Sequence, residues 1–295
     1  IAFARELADA LPVVWPNPDV CHGAAGAGMA LLHLWRATGD EGLAEKVRAC
    51  ADGLVRAAAR VDGVLCWPVP ATFTSTFAGQ ARYGFGHGVA GIGTFLLAAG
   101  QDLGQREYLD LAEAAGQTLR TSASAGGVTV YWPERVGSAQ PLAPGMGAHW
   151  CSGASGIGTF LVRLCQATGA DWARELALRC AATVLAERWR SSPAACHGLA
   201  GDGDFLLDLA ETLDAPELRG RAEDLLESAY LRHAMRADRL VFPDETMLGD
   251  TVDYGTGLCG VLAFLLRLRY GGARMWMPER CSAPAGRLAA AGAVK

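Results

Sequence analysis

Cysteine and histidine recur at matched points of this chain. Cys21-His22, Cys151-Ser152 and Cys196-His197 each stand immediately before a Gly-x-x-Gly phrase, and Gly86-His87 stands before another. Two thiolates and one imidazole make a zinc site with three protein ligands and an open fourth position. A thiol arriving at that position loses its proton yet stays electron-rich, and so becomes a nucleophile. Cys151, Cys196 and His197 supply such a set, because they occupy the same point of adjacent repeats. Cys21-His22 has the same local form, and spacing alone does not choose between the two Cys-His pairs. An isolated pair of this kind is a weak signal, more often a buried thiol beside a hydrogen-bonded histidine. His87 has no cysteine beside it, which makes it a poorer ligand but a good general acid or base, with an ordinary pKa of about 6.5. The plain alternative for His87 is a cap on a helix start. Asp19, four residues ahead of the first phrase, reads by itself as an acid favoured at a helix N-terminus.

The elements that must position these residues follow from the repeat. The phrase stands at Gly23–Gly26, Gly88–Gly91, Gly153–Gly156, Gly198–Gly201 and Gly257–Gly260, with onsets 65, 65, 45 and 59 residues apart. Each phrase opens a run that is apolar nearly all round, such as Phe95-Leu-Leu97 or Val261-Leu-Ala-Phe-Leu-Leu266, which predicts a helix buried on most sides. Longer amphipathic helices are predicted over Gly42–Arg60, Arg106–Ser122, Asp171–Trp189 and Pro216–Met235. Inner apolar helices alternating with outer amphipathic ones predict an all-α fold, an α/α toroid of concentric helix rings. Short β-like runs, Val64–Cys66 and Val128–Tyr131, are expected in the crossing loops, each followed by Trp-Pro. Those tryptophans line the mouth or belong to the core, the second being the commoner fate. The toroid is expected to span 1–270, its first hairpin incomplete and represented by Ala4–Leu11, with 271–295 a C-terminal tail. Asp202 and Asp204 fall in the first turn of an inner helix and read as structural acids.

Composition bounds the rest. The chain has 295 residues, 51% of them hydrophobic and 19% charged, enough to bury a large core, and a net charge of −5. An acidic balance argues against nucleic acid or an anionic membrane as the main partner. The apolar stretch from Gly255 to Leu266 is too short to span a bilayer. Nine cysteines, an odd number, with no secretory signal in view, predict reduced thiols and a cytoplasmic location. Cys50, Cys165 and Cys180 sit inside amphipathic helices and read as core residues.

The phrases Gly86-His-Gly-Val-Ala-Gly-Ile-Gly93, Trp150-Cys-Ser-Gly-Ala-Ser-Gly-Ile-Gly158 and Cys196-His-Gly-Leu-Ala-Gly201 resemble those of the lanthionine synthetase C-like cyclases. The resemblance spans about residues 12 to 270, and its Trp-Cys-x-Gly with Cys-His-Gly some 45 residues on is specific. It implies an α/α toroid with a single Zn²⁺ on Cys151, Cys196 and His197, which decides against Cys21-His22. It places an active-site histidine on His87 and an active-site aspartate on Asp19. Gly147 stands where the stand-alone cyclases carry an arginine, and Ser152 where they often have a tyrosine, so His149 is a candidate to substitute in proton handling. The Gly-Asp-Gly-Asp204 run looks more like the cyclase domain at the end of multifunctional synthetases, with kinase and lyase domains upstream. The activity implied is addition of cysteine thiols to dehydroalanine or dehydrobutyrine in a dehydrated ribosomal precursor peptide, giving thioether rings. The rival of another class is a zinc-stabilised toroid that binds peptides or small thiols without catalysis. A carbohydrate-active toroid would instead need paired carboxylates in its cavity.

Overall fold

A computed structural model describes residues 2–277 except 13, 214, 245 and 247. Helix α1 (Ala2–Ala10) precedes five inner helices: α2 (Ala24–Thr38), α4 (Val89–Leu103), α6 (Ala154–Thr168), α8 (Leu199–Leu213) and α10 (Leu258–Tyr270). The outer helices α3 (Glu41–Ala57), α5 (Arg106–Ser122), α7 (Asp171–Glu187) and α9 (Pro216–Tyr230) each follow an inner helix and pack on it. Inner helices neighbour one another in chain order, from α2 through α4, α6 and α8 to α10. This is the α/α toroid that the alternating pattern predicts. Helices α4, α6 and α8 are buried through most of their length, as their apolar runs require.

The inner ring is held by glycine sockets. The third glycine of four phrases receives a phenylalanine from the next inner helix: Gly28 takes Phe95, Gly93 takes Phe160, Gly158 takes Phe205 and Gly203 takes Phe264. A Cβ on Gly28 would come within 2.2 Å of the Phe95 ring, so only glycine admits that packing. In α10 the matching position is Leu262, which is exposed with Leu266 and Tyr270.

Three β-hairpins separate the outer helices from the next phrases: β1 (Ala59–Val61) with β2 (Val64–Cys66), β3 (Ser124–Gly126) with β4 (Thr129–Tyr131), and β5 (Ala234–Arg236) with β6 (Arg239–Val241). Here the helix boundaries predicted from the sequence ran too long. Arg60 and Met235 were assigned to outer helices and lie in strands. The reason is turn chemistry: Asp62 and Gly63 have φ of 51° and 81°, the left-handed pair a tight hairpin needs. Ala237 and Asp238 adopt the same conformation at 46° and 58° without a glycine to announce it. Trp67 and Trp132 follow their hairpins into the core, their indole N–H groups donating to the carbonyls of Leu54 and Leu119, both at 2.8 Å. Cys50 and Cys180 are buried as expected, while Cys165 is half-buried. Cys281 lies outside the described residues.

Past α10 the chain turns back toward the toroid axis. Arg274 is buried and joins a cluster in which Asp204 and Asp208 meet Arg163, Arg267 and Arg274. Trp276 packs its ring against Phe85 and Trp150, and its carbonyl accepts from His33 Nε2 on α2 at 3.2 Å.

Candidate active site

The residues just before the five phrases form one chain of backbone hydrogen bonds. Cys21 N–H donates to Gly86 O at 3.1 Å, Gly86 to Cys151 O at 3.0 Å, Cys151 to Cys196 O at 3.4 Å, and Cys196 to Gly255 O at 2.7 Å. Equivalent positions of successive repeats are thereby brought side by side at one end of the inner ring. The second glycine of each phrase lets the helix start lie on the preceding loop: a Cβ at Gly156 would sit 1.8 Å from Trp150 O. This arrangement turns a sequence repeat into a cluster.

The first product is a thiolate-rich group. The ligand atoms of Cys151, Cys196 and His197 lie within 4.8 Å of one another. Ordinary zinc distances of about 2.3 Å to sulfur and 2.0–2.1 Å to nitrogen set a tetrahedral S–N edge of about 3.6 Å. Cys196 Sγ lies 3.6 Å from His197 Nε2. Donor chemistry and spacing therefore both fit the metal. Hydrogen bonding with Cys196, then with His197 and Ser152, holds the Cys151 thiol well below its ordinary pKa against the opposing effect of burial. His149 sets its ring against His197, with centroids 5.2 Å apart. Nothing larger than glycine fits easily at 147, where a Cβ would lie 2.9 Å from Tyr131 and 3.0 Å from Glu187.

The second product is a carboxylate shared by two imidazoles. Asp19 is buried, and its Oδ1 accepts the His22 backbone N–H at 2.7 Å. Its Oδ2 lies 2.8 Å from His87 Nδ1 and 3.8 Å from His22 Nδ1. Phe77 leans on the His87 ring at 4.7 Å, and Arg82 stacks on Phe77 at 4.2 Å. Spacing alone reads Asp19 as a lone acid, the family resemblance sets it in one site with His87, and neither points to its approach to His22. One signal was present: Asp253-x-Gly-Thr256 repeats Asp19-x-Cys-His22, and Asp253 likewise accepts the Thr256 N–H, at 2.7 Å.

The cavity beside Cys196 has a volume of about 270 Å³ and an almost wholly apolar lining that includes Trp150, Tyr254 and Trp276. Trp276 Nε1 donates to Tyr254 Oη at 3.1 Å. Of the two acids expected in the first turn of α8, only Asp202 lies there; the helix starts at Leu199, which puts Asp204 in the second turn. Asp204 is paired with Arg267 and Arg274, as a structural acid should be. Asp202 is wholly buried, and burial pushes its pKa up to about 8 despite Ser155 and Arg274 nearby.

The model of the lanthionine synthetase C-like proteins matches residues 4–278. The chain belongs to the lanthionine synthetase C-like family. Among solved structures it is similar to nisin cyclase, with a TM-score of 0.65 and 17% identity over 91% of this chain and 68% of that one. It is also similar to the Lin0763 protein from Listeria innocua, with a TM-score of 0.58 and 13% identity over 84% of this chain and 70% of that one. An unsaturated glucuronyl hydrolase from Bacillus sp. GL1 shares the fold too, with a TM-score of 0.60 and 18% identity over 94% and 80% of the two chains. At such identities these likenesses bear on the fold alone. No curated protein matches the chain. Within this family member, no described helix is long and apolar enough to cross a membrane.

Proposed function

We propose that this chain is a zinc-dependent lanthipeptide cyclase, and the observation that carries the reading is the convergence of Cys151, Cys196 and His197 from two separate repeats. Those three residues would hold Zn²⁺, which when bound lowers the pKa of a substrate cysteine thiol and keeps it nucleophilic near neutral pH. The substrate sulfur forms a bond to the β-carbon of dehydroalanine or dehydrobutyrine, the double-bond electrons move toward the carbonyl, and the α-carbon then takes up one proton. His87 supplies that proton. Its Nδ1 is engaged by Asp19, so Nε2 on the opposite edge of the ring carries the proton that moves. Asp19 fixes the tautomer and the tilt of His87, and Phe77 holds the other side of the ring. His149, against His197, is positioned to support the metal ligand rather than the reacting carbon. Trp150, Tyr254 and Trp276 give the peptide an apolar wall beside Cys196, which favours ring closure by orientation. The dehydrated substrate would come from phosphorylation and elimination at serine or threonine, work for kinase and lyase domains.

A model peptide with one cysteine and one dehydroalanine tests the reading. Zinc-loaded protein should make the peptide resist thiol alkylation at unchanged mass, with one deuterium at the α-carbon in heavy water. A peptide that stays fully alkylatable, while still bound, would favour the non-catalytic toroid.

A further inference from the structure

We propose that Asp19, His22 and His87 form a second metal site, which takes one divalent cation of the Zn²⁺ class and thereby withdraws His87 from proton transfer. The site itself stands apart from the proposed cyclase activity; only its inhibitory effect rests on that reading. The three residues offer one carboxylate oxygen and two imidazole nitrogens, all within 4.8 Å of one another. The His22 and His87 rings are stacked, with centroids 5.4 Å apart and planes 15° apart. Both approach the same carboxylate oxygen through Nδ1, at 3.8 Å and 2.8 Å. A tetrahedral zinc with these donors has a ligand–ligand edge of about 3.3 Å. The two observed distances bracket that edge, so a small swing of the His22 ring completes the set.

Access and order are both provided. The His22 side chain is 59% exposed, while Asp19 is 1% exposed. The cation can therefore enter from solvent past an exposed imidazole and meet a buried carboxylate. Asp19 is fixed because its Oδ1 is already bound by the His22 N–H, and its own N–H donates to Asn17 Oδ1 at 3.0 Å. Two neutral imidazoles and one carboxylate leave one fourth position for water, the donor pattern of a three-ligand zinc centre. With one negative charge in place of two thiolates, this site fills after the cysteine site. An imidazole whose Nδ1 is bound to a cation no longer donates the orienting hydrogen bond to Asp19 and is a poorer proton donor to carbon.

Equilibrium dialysis of the full chain against Zn²⁺, read by metal analysis, tests the site. Wild type should hold two equivalents, His22→Ala one, and Cys151→Ala/Cys196→Ala one. Cobalt in place of zinc should add a second equivalent without further thiolate charge-transfer absorption. A wild type that saturates at one equivalent, lost in the cysteine variant and kept in His22→Ala, overturns the second site and leaves the cyclase reading intact. Two equivalents retained in His22→Ala overturn it as well. One equivalent lost in His22→Ala but kept in the cysteine variant sustains this site and removes the cysteine site instead. On the model peptide, raising zinc from one equivalent to excess should slow wild type by about 10²–10⁴-fold at saturation, the scale of a general acid. The same change should leave the rate of His22→Ala within twofold of its own one-equivalent value.

Discussion

The chain carries the words Cys-His-Gly-x-Ala-Gly twice, at Cys21 and at Cys196, and uses them differently. The difference comes from what stands at the same position of the adjacent repeat. Cys196 is bonded through its carbonyl to Cys151, so two sulfurs meet. Cys21 is bonded to Gly86, so its sulfur has no such partner in the next repeat. Although Cys21 is exposed as a residue, its sulfur packs toward Gly86 and Cys151, and lost solvation, with the charges of Asp19 and Cys151, pushes its pKa up to about 12. The second difference lies two residues upstream, where the first pair has Asp19 and the other has Ala194. Asp19 turns His22 and His87 toward itself, while His197 stays with Cys196. In a repeat array, the role of a motif is set by its counterpart next door rather than by its own letters.

Breaking the pair at Cys196 should have the largest effect. Cys196→Ser is expected to lose the thiolate-site zinc and reduce ring formation to the uncatalysed rate, while Cys21→Ser keeps that zinc. Metal analysis with the alkylation assay measures both, and the reverse pattern would mean that the first pair holds the catalytic metal. Next comes His87→Asn, expected to keep the Cys151–Cys196–His197 zinc and lose about 10²–10⁴ in rate. The α-carbon should also lose stereochemical control, because water then delivers the proton from either face. A wild-type rate and stereochemistry in that variant would reduce His87 to a helix cap. Asp19→Asn is expected to cost about 10–100-fold, the usual scale for a partner that orients a functional histidine. A drop as large as that of His87→Asn would mean that the carboxylate does more than orient.

The smallest effect is on stability, and it concerns a residue the first pair lacks. Six residues after Cys196 stands Asp202; six after Cys21 stands Ala27. Burial raises the Asp202 pKa to about 8 from an ordinary 3.8, so the folded state holds a proton that the unfolded state releases between those values. Folding stability should therefore fall as pH rises through that window, by roughly 1.4 kcal/mol per unit at most. The melting temperature of Asp202→Asn relative to wild type should therefore rise between pH 5 and pH 8. Equal melting differences at both pH values would mean that Asp202 is ionised throughout.

The helices were legible because their periodicity is strong and their glycine phrases repeat. Two of the three hairpins were half legible: the β-like runs Val64–Cys66 and Val128–Tyr131 foretold β2 and β4, while β1, β3 and the whole third hairpin were missed, because three-residue strands extend an outer helix without breaking its composition and Ala237-Asp238 carries no glycine. The cluster of Cys151, Cys196 and His197 could be proposed from the repeat, but preferring it to Cys21-His22 needed the family resemblance, since the approach of Cys151 to Cys196 joins residues 45 apart in sequence. Trp276 and Arg274 lie past the last phrase, in the stretch assigned to a tail from 271, so no repeat pointed to the cavity they help to line.

The glycine sockets also have a direction. Gly28, Gly93, Gly158 and Gly203 each lie upstream of the phenylalanine they receive. During synthesis, each inner helix from α4 onward would emerge to find its glycine seat already made, and none of the four phenylalanines must wait for a seat still to come. Assembly can thus proceed as a one-way ratchet from the N-terminal side, with each locked ring shielding the hairpin before it. Leu262 stands where a fifth seat would be, and there the ratchet stops.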